Sequence, residues 1–309
     1  MRPPPGRSTP PGRLGQADVV VHCTPPADAV DTAVRRALTE DLTPLGDITS
    51  ALLDPAVVTV ARFVARDDGV LAGTACARRT FDLIDDTVVM RWHRHDGDQL
   101  RAGDVIAEVS GPLHSILTAE RTALNFMSHL SGVASLTRRY VDAAATGGPA
   151  RIWDTRKTIP GLRALEKAAV RAGGGANHRG NLSDWVMVKD NHLLGAPIAE
   201  LVTRAHLAWP GRTVHVECDT ITQVGEAVDA GADALLLDNM DPSLVTQCVA
   251  VVADRCGTGR RPLVEASGGI TLDNVARYAA TGVDCISVGA ITNAAGVLDI
   301  GLDIEAPTP

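Results

Sequence analysis

The 309 residues, 45% hydrophobic and with a formal net charge of −8, can bury a large core and divide between two domains. That charge argues against a general nucleic-acid or polyanion surface, and no apolar run approaches the roughly 18 residues of a membrane span. Aromatic residues are only 3% while glycines number 29, a mix that suits parallel strands and close helix packing.

Residues 1–26 hold seven prolines and read as a disordered tail, since an early Pro-Pro-Pro denies them the amphipathic helix of an organelle-targeting segment. A helix is expected from about Pro26, with Ala33, Val34, Ala37 and Leu38 as its apolar stripe. The run TVARFVARDDGVLAG then reads as a hairpin broken at Asp67-Asp68-Gly69. The run VVMRWHRHDGDQLRAGDVIAEVSG alternates in the same manner, so the first third is expected to carry an antiparallel sheet. Its piece DGDQLRAGDVIAEV resembles the turn of a lipoyl or biotinyl carrier domain. No lysine precedes Lys157, however, so it is read as a fold element without a prosthetic group. A long helix should follow from about Thr118 through AERTALNFMSHLSGVASLTRRYVDAAA.

Beyond this helix the rhythm changes. Apolar runs recur, each closed by polar residues and followed by a helical segment: RIW-DTRKT, WVMV-KDNH, TVHV-ECD, ALLL-DNM, PLVE-ASGG and CISV-GAIT. Six βα units predict a parallel, barrel-like sheet short of the eight of a closed barrel, with an active site at the carboxyl ends of the strands. The six cysteines (Cys23, Cys76, Cys218, Cys248, Cys256, Cys285) lack any C-x-x-C spacing and read as reduced thiols of a cytosolic protein.

Between Arg151 and Lys189 eight cations face three anions, a local +5 inside an acidic chain, which points to a small and highly charged anionic partner. Arg163, Lys167 and Arg171, spaced i, i+4, i+8, read as a solvated helix stripe. Arg156, Lys157, Arg179 and Lys189 lie at strand ends or in a glycine-rich loop, where arginine forks bind carboxylates and lysines bind phosphates as point charges. The loop RAGGGANHRGN places His178 beside Arg179. Its glycine triplet is open to two readings, a backbone approach to a ligand or a helix C-cap followed by a turn. Glu217 and Asp238 end two middle strands and are the carboxylates that a Mg²⁺-bound diphosphate needs. The turns EASGGI and SVGAIT fit a phosphate site built from backbone N–H groups, and neither is a Walker A or dinucleotide fingerprint. Together these residues point to a phosphorylated, diphosphate-bearing substrate with Mg²⁺ and a second anion clamped by arginines.

The segments AERTALNFMSHLSG, DTRKTIPGLRALEKAAVRAGGGANHR, VKDNH, VECDT, LLLDN and SGGI, in this order, resemble the quinolinate phosphoribosyltransferase family over about residues 28–303. The resemblance implies an α/β protein of the type II phosphoribosyltransferase fold: an N-terminal α/β sandwich (27–130, joined by 291–309) and an open, incomplete α/β barrel (131–290). It implies transfer of a phosphoribosyl group from 5-phosphoribosyl-1-diphosphate (PRPP) to quinolinate with decarboxylation, in the cytoplasm, without an organic cofactor. It implies a homodimer or higher oligomer in which Arg121 crosses the interface. Thr155, Arg156, Lys157, His178, Arg179 and Lys189 would hold the substrates, with Arg156, His178, Arg179 and Lys189 around quinolinate. Lys157, Glu217 and Asp238 would face PRPP and Mg²⁺; Ser267, Gly268, Gly269, Val288, Gly289 and Ala290 would cradle the 5′-phosphate. Lys157, Lys189, Glu217 and Asp238 are the implied catalytic residues. The chain departs from the family at Gly180-Asn181 and at Cys218. A molybdenum-transport-associated paralogue, a nicotinate-specific enzyme and an inactive homologue are the rivals; KDNH, the excess of cations and the intact charged set argue against each in turn.

Overall fold

The computed structural model describes residues 23–305; most of the proline-rich segment 1–26 lies outside the described residues. Helix α1 (Ala27–Leu42) starts after Pro26, whose fixed φ suits a helix entry, and buries Val30, Val34 and Leu38. A four-stranded antiparallel sheet follows in the order β12-β1-β5-β3, from β1 (Val58–Ala65), β3 (Val89–Trp92), β5 (Val105–Pro112) and β12 (Ile300–Ile304). The expected hairpin at Asp67-Asp68-Gly69 does not form. Strand β1 pairs with β5 and β12, whereas β2 (Gly69–Val70) pairs with β4 (Gln99–Leu100) in a separate ribbon. The reason is tertiary: Val70 N–H donates to Ser135 Oγ at 2.8 Å, and a Cβ on Gly69 would come within 2.6 Å of Ser135 and Leu298, so this segment is docked against a helix. Helix α2 (Thr74–Ile84), absent from the sequence reading, then covers the sheet, with Phe81 edge-on to Phe63 at 6.1 Å.

Helix α3 (Leu113–Ala145) begins five residues before the expected Thr118 and, at 33 residues, spans about 50 Å. Its first half (Ile116, Ala119, Ala123, Met127) belongs to the core under the antiparallel sheet. Its second half (Leu130, Val133, Ala134, Tyr140) belongs to the core of the parallel domain, which also takes the apolar face of α1. The 130/131 boundary therefore falls inside a continuous helix.

Six parallel strands follow, β6 (Arg151–Trp153), β7 (Val186–Val188), β8 (Val214–Cys218), β9 (Ala234–Asp238), β10 (Leu263–Ser267) and β11 (Cys285–Ser287), in the order β6-β11-β10-β9-β8-β7. Edge strands β6 and β7 do not pair, so the barrel is open. Helices α4 (Arg163–Ala172), α5 (Asp190–Leu193), α6 (Ile198–Ala208), α7 (Ile221–Asp229), α8 (Pro242–Cys256), α9 (Val275–Ala279) and α10 (Ala290–Asn293) fill the crossovers. Strand alternation sorts the side chains: Val214, Val216, Leu235, Leu237, Val264, Ala266 and Ile286 join the helix-facing core. The intervening His215, Glu217, Leu236, Asp238, Glu265 and Ser267 take the opposite face, the barrel interior. Beyond α10 the chain returns over α3 at Gly132, where a Cβ would strike the Gly296 carbonyl, and delivers β12 to the first sheet.

Candidate active site

The carboxyl ends of the strands surround one cavity of about 300 Å³, lined by Thr155, Arg156, Lys157, His178, Arg179, Lys189, Glu217, Asp238, Ser267, Met187, Leu236, Glu265 and Ser287. Nine of these were singled out from the sequence. Each owes its place to a local device. After β6, Lys157 N–H donates to Thr155 Oγ1 (2.9 Å) and its carbonyl accepts from Thr292 Oγ1 (2.7 Å), turning the chain sharply. The Lys157 stem then lies over Gly289, where a Cβ would come within 2.9 Å of it. Arg156 instead comes close enough to Arg179 for the two charges to repel. His192 Nδ1 accepts from Lys189 N–H (2.9 Å) and fixes the start of α5. A capping box of Thr220 and Gln223 opens α7 after Glu217, and Asp241 caps α8 after Asp238.

The electrostatics are divided. Lys189 Nζ contacts the Glu217 carboxylate directly. Asp238 accepts from Asn239 Nδ2 at 2.6 Å. Burial, and then the neighbouring Arg156, push the Arg179 guanidinium below its usual range, with Glu217 and Asp184 only partly offsetting them. Arg156 Nε is buried without a hydrogen-bond partner. Two guanidinium groups thus face the cleft with less negative charge around them than they could bind.

Behind this wall the stripe read as solvated turns out to be internal. Lys167 is buried and donates to Asp154 Oδ1 (2.5 Å) and to the His178 carbonyl (2.9 Å), while the His178 N–H donates to Asp154 Oδ1 (2.7 Å). One buried ion pair therefore holds both backbone groups of His178. Arg163 donates to Thr158 Oγ1, the Gly180 carbonyl and the Arg156 carbonyl, and Arg171 to Asn177 Oδ1. Spacing shows which residues share a face, but here that face lies between two loops. Buried Glu166 accepts from Ile159 N–H (3.1 Å) and meets His129 Nε2 on α3 (3.0 Å), tethering the loop that carries Arg156 and Lys157.

The glycine triplet follows the second of its two readings. Gly173 is the C-cap of α4, and a Cβ there would sit 2.3 Å from the Ala134 carbonyl, so the triplet lets α4 approach α3. Gly268 (φ +89°) is needed for a different reason: a Cβ would lie 2.2 Å from Asn239 Oδ1 of the adjoining turn. Ser267 lines the cavity, but the Val288 N–H donates to the Trp153 carbonyl (2.9 Å) and is committed to the sheet. Gly269, Gly289 and Ala290 flank these turns without lining the cavity. Arg121 stands on α3, 70% exposed, outside the cavity lining, with Glu120 at 4.0 Å.

Three interior residues escaped the sequence reading: Glu265, His215 and Trp153, to which Trp185 adds a second indole. Burial opposes ionisation of Glu265 more than any other influence, yet the facing His178 and His215 together hold its carboxyl below the usual range. Burial pushes His215 down to about 4. The available signal was strand alternation, because His215 precedes Glu217 by two residues and Glu265 precedes Ser267 by two.

The sequence matches the C-terminal domain of quinolinate phosphoribosyl transferases over residues 133–303 and their N-terminal domain over residues 47–131. It is 42% identical over 262 residues to a probable nicotinate-nucleotide pyrophosphorylase (carboxylating) of Bacillus subtilis, covering 84% of this chain and 88% of that one. Identity to the nicotinate-nucleotide pyrophosphorylase (carboxylating) of Mycobacterium leprae is 40% over 281 residues, covering 90% and 98%. The solved nicotinate-nucleotide pyrophosphorylase from Francisella tularensis superposes with a TM-score of 0.86 at 36% identity, covering 92% of this chain and 99% of that chain.

Proposed function

The chain belongs to the quinolinate phosphoribosyltransferase family, and from that membership we infer a division of labour within its cleft. The enzyme, a pentosyltransferase, transfers the phosphoribosyl group of PRPP to quinolinate with decarboxylation, giving nicotinate mononucleotide, diphosphate and CO₂ in de novo NAD biosynthesis. The observation that carries our assignment is the pair Arg156 and Arg179, facing the cleft with incomplete compensation. Quinolinate brings two adjacent carboxylates, and two guanidinium forks supply the matching donors. His178 borders the same space. Lys189, now on Glu217, is placed to exchange that carboxylate for one of the substrate's.

Across the cavity Lys157 takes the diphosphate of PRPP, and the turn at Ser267, Gly268 and Gly269, with Gly289 and Ala290, takes the 5′-phosphate. Glu217 and Asp238 are oxygen donors at adjacent strand ends, the donor type that Mg²⁺ prefers. Bound there with PRPP, the ion supplies neutralisation of the departing diphosphate. The ring nitrogen forms a bond to C1′ as the C1′–O bond to diphosphate breaks. The resulting pyridinium draws in the electron pair released when the C2–carboxylate bond breaks, and a proton then replaces CO₂ at C2. The side chains act by positioning and charge, without a covalent enzyme intermediate and without an organic cofactor.

Arg121, exposed and outside its own cavity, completes the cleft of a second copy in our reading, so the working unit is a homodimer, alone or within a larger assembly. Among the described residues no helix is long and apolar enough to cross a membrane. We place the enzyme in the cytoplasm, where its six cysteines, none of them in a disulfide among the described residues, stay reduced.

Incubation with quinolinate, PRPP and Mg²⁺ should release nicotinate mononucleotide and CO₂; product from nicotinate but not from quinolinate would overturn the substrate assignment. Arg121→Ala and Lys189→Ala should each lose roughly 10²–10³ in kcat. Mixed dimers of the two should regain activity, and no recovery in well-mixed dimers would remove Arg121 from the neighbouring site.

A further inference from the structure

Below the cleft, on the barrel interior, three side chains from separate segments converge. His178 Nε2 lies 3.4 Å, and His215 Nε2 3.3 Å, from the same Glu265 oxygen, and one ligand atom from each of the three residues falls within 4.8 Å of the others. The residues are 7%, 1% and 0% exposed. Neither Nε2, nor either Glu265 oxygen, nor the nearby Ser287 hydroxyl has an aligned hydrogen-bond partner. Trp153 and Trp185 close the walls, with Trp185 4.9 Å from the His178 ring and 6.0 Å from that of His215. A buried carboxylate set between two imidazoles, with no aligned donor on either oxygen, leaves the three groups free to turn toward a shared cation.

We infer that His178, His215 and Glu265 form a binding site for one divalent ion of the zinc class per chain. Zinc bonds of roughly 2.0–2.1 Å at tetrahedral angles set ligand atoms about 3.3–3.4 Å apart, the spacing that both imidazoles keep from Glu265. A charge-assisted hydrogen bond would draw them to about 2.7–2.9 Å. Two imidazoles and a carboxylate are a donor set for zinc, whereas magnesium takes oxygen donors, so the chain would sort two metals between this site and Glu217 with Asp238. A second cavity of about 280 Å³, lined by Trp153, Trp185, His215, Asp233 and Arg260, reaches His215 from the amino-terminal side of the strands and gives an ion a route separate from the cleft. The ion would fix the His178 imidazole from below, as the Asp154–Lys167 pair fixes its backbone. The site stands on its own geometry and does not depend on the substrate assignment.

The test uses full-length protein stripped with a chelator and kept in excess Mg²⁺ to occupy acidic sites. Titration with Zn²⁺ should show one equivalent bound and a raised Tm, and Co²⁺ should give the intense visible absorption of a tetrahedral site. His215→Gln and Glu265→Gln should each weaken Zn²⁺ binding at least tenfold, and Glu217→Gln should not. Absence of stoichiometric binding to folded wild-type protein would overturn the site and leave a water-bridged polar cluster. So would binding that survives both substitutions, or binding lost in Glu217→Gln. Circular dichroism checks the variants; should they fail to fold, the wild-type Co²⁺ spectrum decides alone, because octahedral oxygen coordination gives only weak bands.

Discussion

In the antiparallel sheet, Arg62 of β1 and Arg66 just beyond its end reach sideways to Glu108 and Glu305 and to Asp303, through side chains that are all about one-third or more exposed. In the parallel domain Lys167 and Asp154 meet with 8% and 0% of their side chains exposed and grip the backbone of His178 between them. The residue types are the same, yet the first pairs exchange with water and salt while the second cannot be resolvated without opening the core. Charge in the first sheet decorates a fold that its apolar face already specifies. Charge in the barrel sets where the chain may go.

The sharpest way to break this contrast is Lys167→Met. Leaving Asp154 buried without its cation should cost about 3–5 kcal/mol in a urea melt, with a large loss of phosphoribosyl transfer as the His178–Arg179 segment loses its anchor. A loss below about 1 kcal/mol would show that the pair is no more than a surface bridge. Adding Asp154→Asn should recover part of the stability, since no lone charge then stays buried, without restoring activity.

A smaller effect tests whether small residues or charges set the approach of α4 to α3. Gly173 has an ordinary φ of −72°, so alanine there meets no backbone strain and would often stabilise by restricting the unfolded chain. The Cβ, however, would lie 2.3 Å from the Ala134 carbonyl and 2.6 Å from Thr137 Cβ. Overpacking should win, and Gly173→Ala should lose about 1–3 kcal/mol, read as a lowered Tm. An unchanged or raised Tm would mean that the two helices separate freely.

These cases show where the sequence is legible. Alternation in TVHVECDT and PLVEAS fixes which residues face the helices, so the six strands and their polar ends can be read directly. It does not say that His215 and Glu265 meet, because register between strands two βα units apart is set by tertiary pairing. The spacing of Arg163, Lys167 and Arg171 gives a shared face but not what lies against it. The run TACARRTFDLI, which forms α2, is flanked by strand-like segments, and its helical face is revealed only by the sheet it covers. The hairpin at Asp67-Asp68-Gly69 fails for the same reason, since a contact with Ser135 on α3 overrides the turn chemistry. Arg121 is the limiting case: among the described residues it stands exposed beside Glu120, and no periodicity in the sequence says what it meets.

The smallest expected effect is the most informative about the first sheet. Arg66 contacts Asp303 directly, and the interaction holds the guanidinium above its usual range, first through the hydrogen bond itself. Both side chains are largely open to water, so what the pair gains by contact it mostly gives up in hydration and side-chain freedom. Strand β12 is held to β1 independently, by a register running from Ala61↔Ile304 to Ala65↔Ile300 and by buried Ile300. Arg66→Ala should therefore leave the urea midpoint within experimental scatter, and any difference at low salt should vanish in molar NaCl, where screening acts within about 3 Å. A clear, salt-resistant loss would place this pair with Lys167 and Asp154, and β12 would then depend on charge rather than on its backbone ladder.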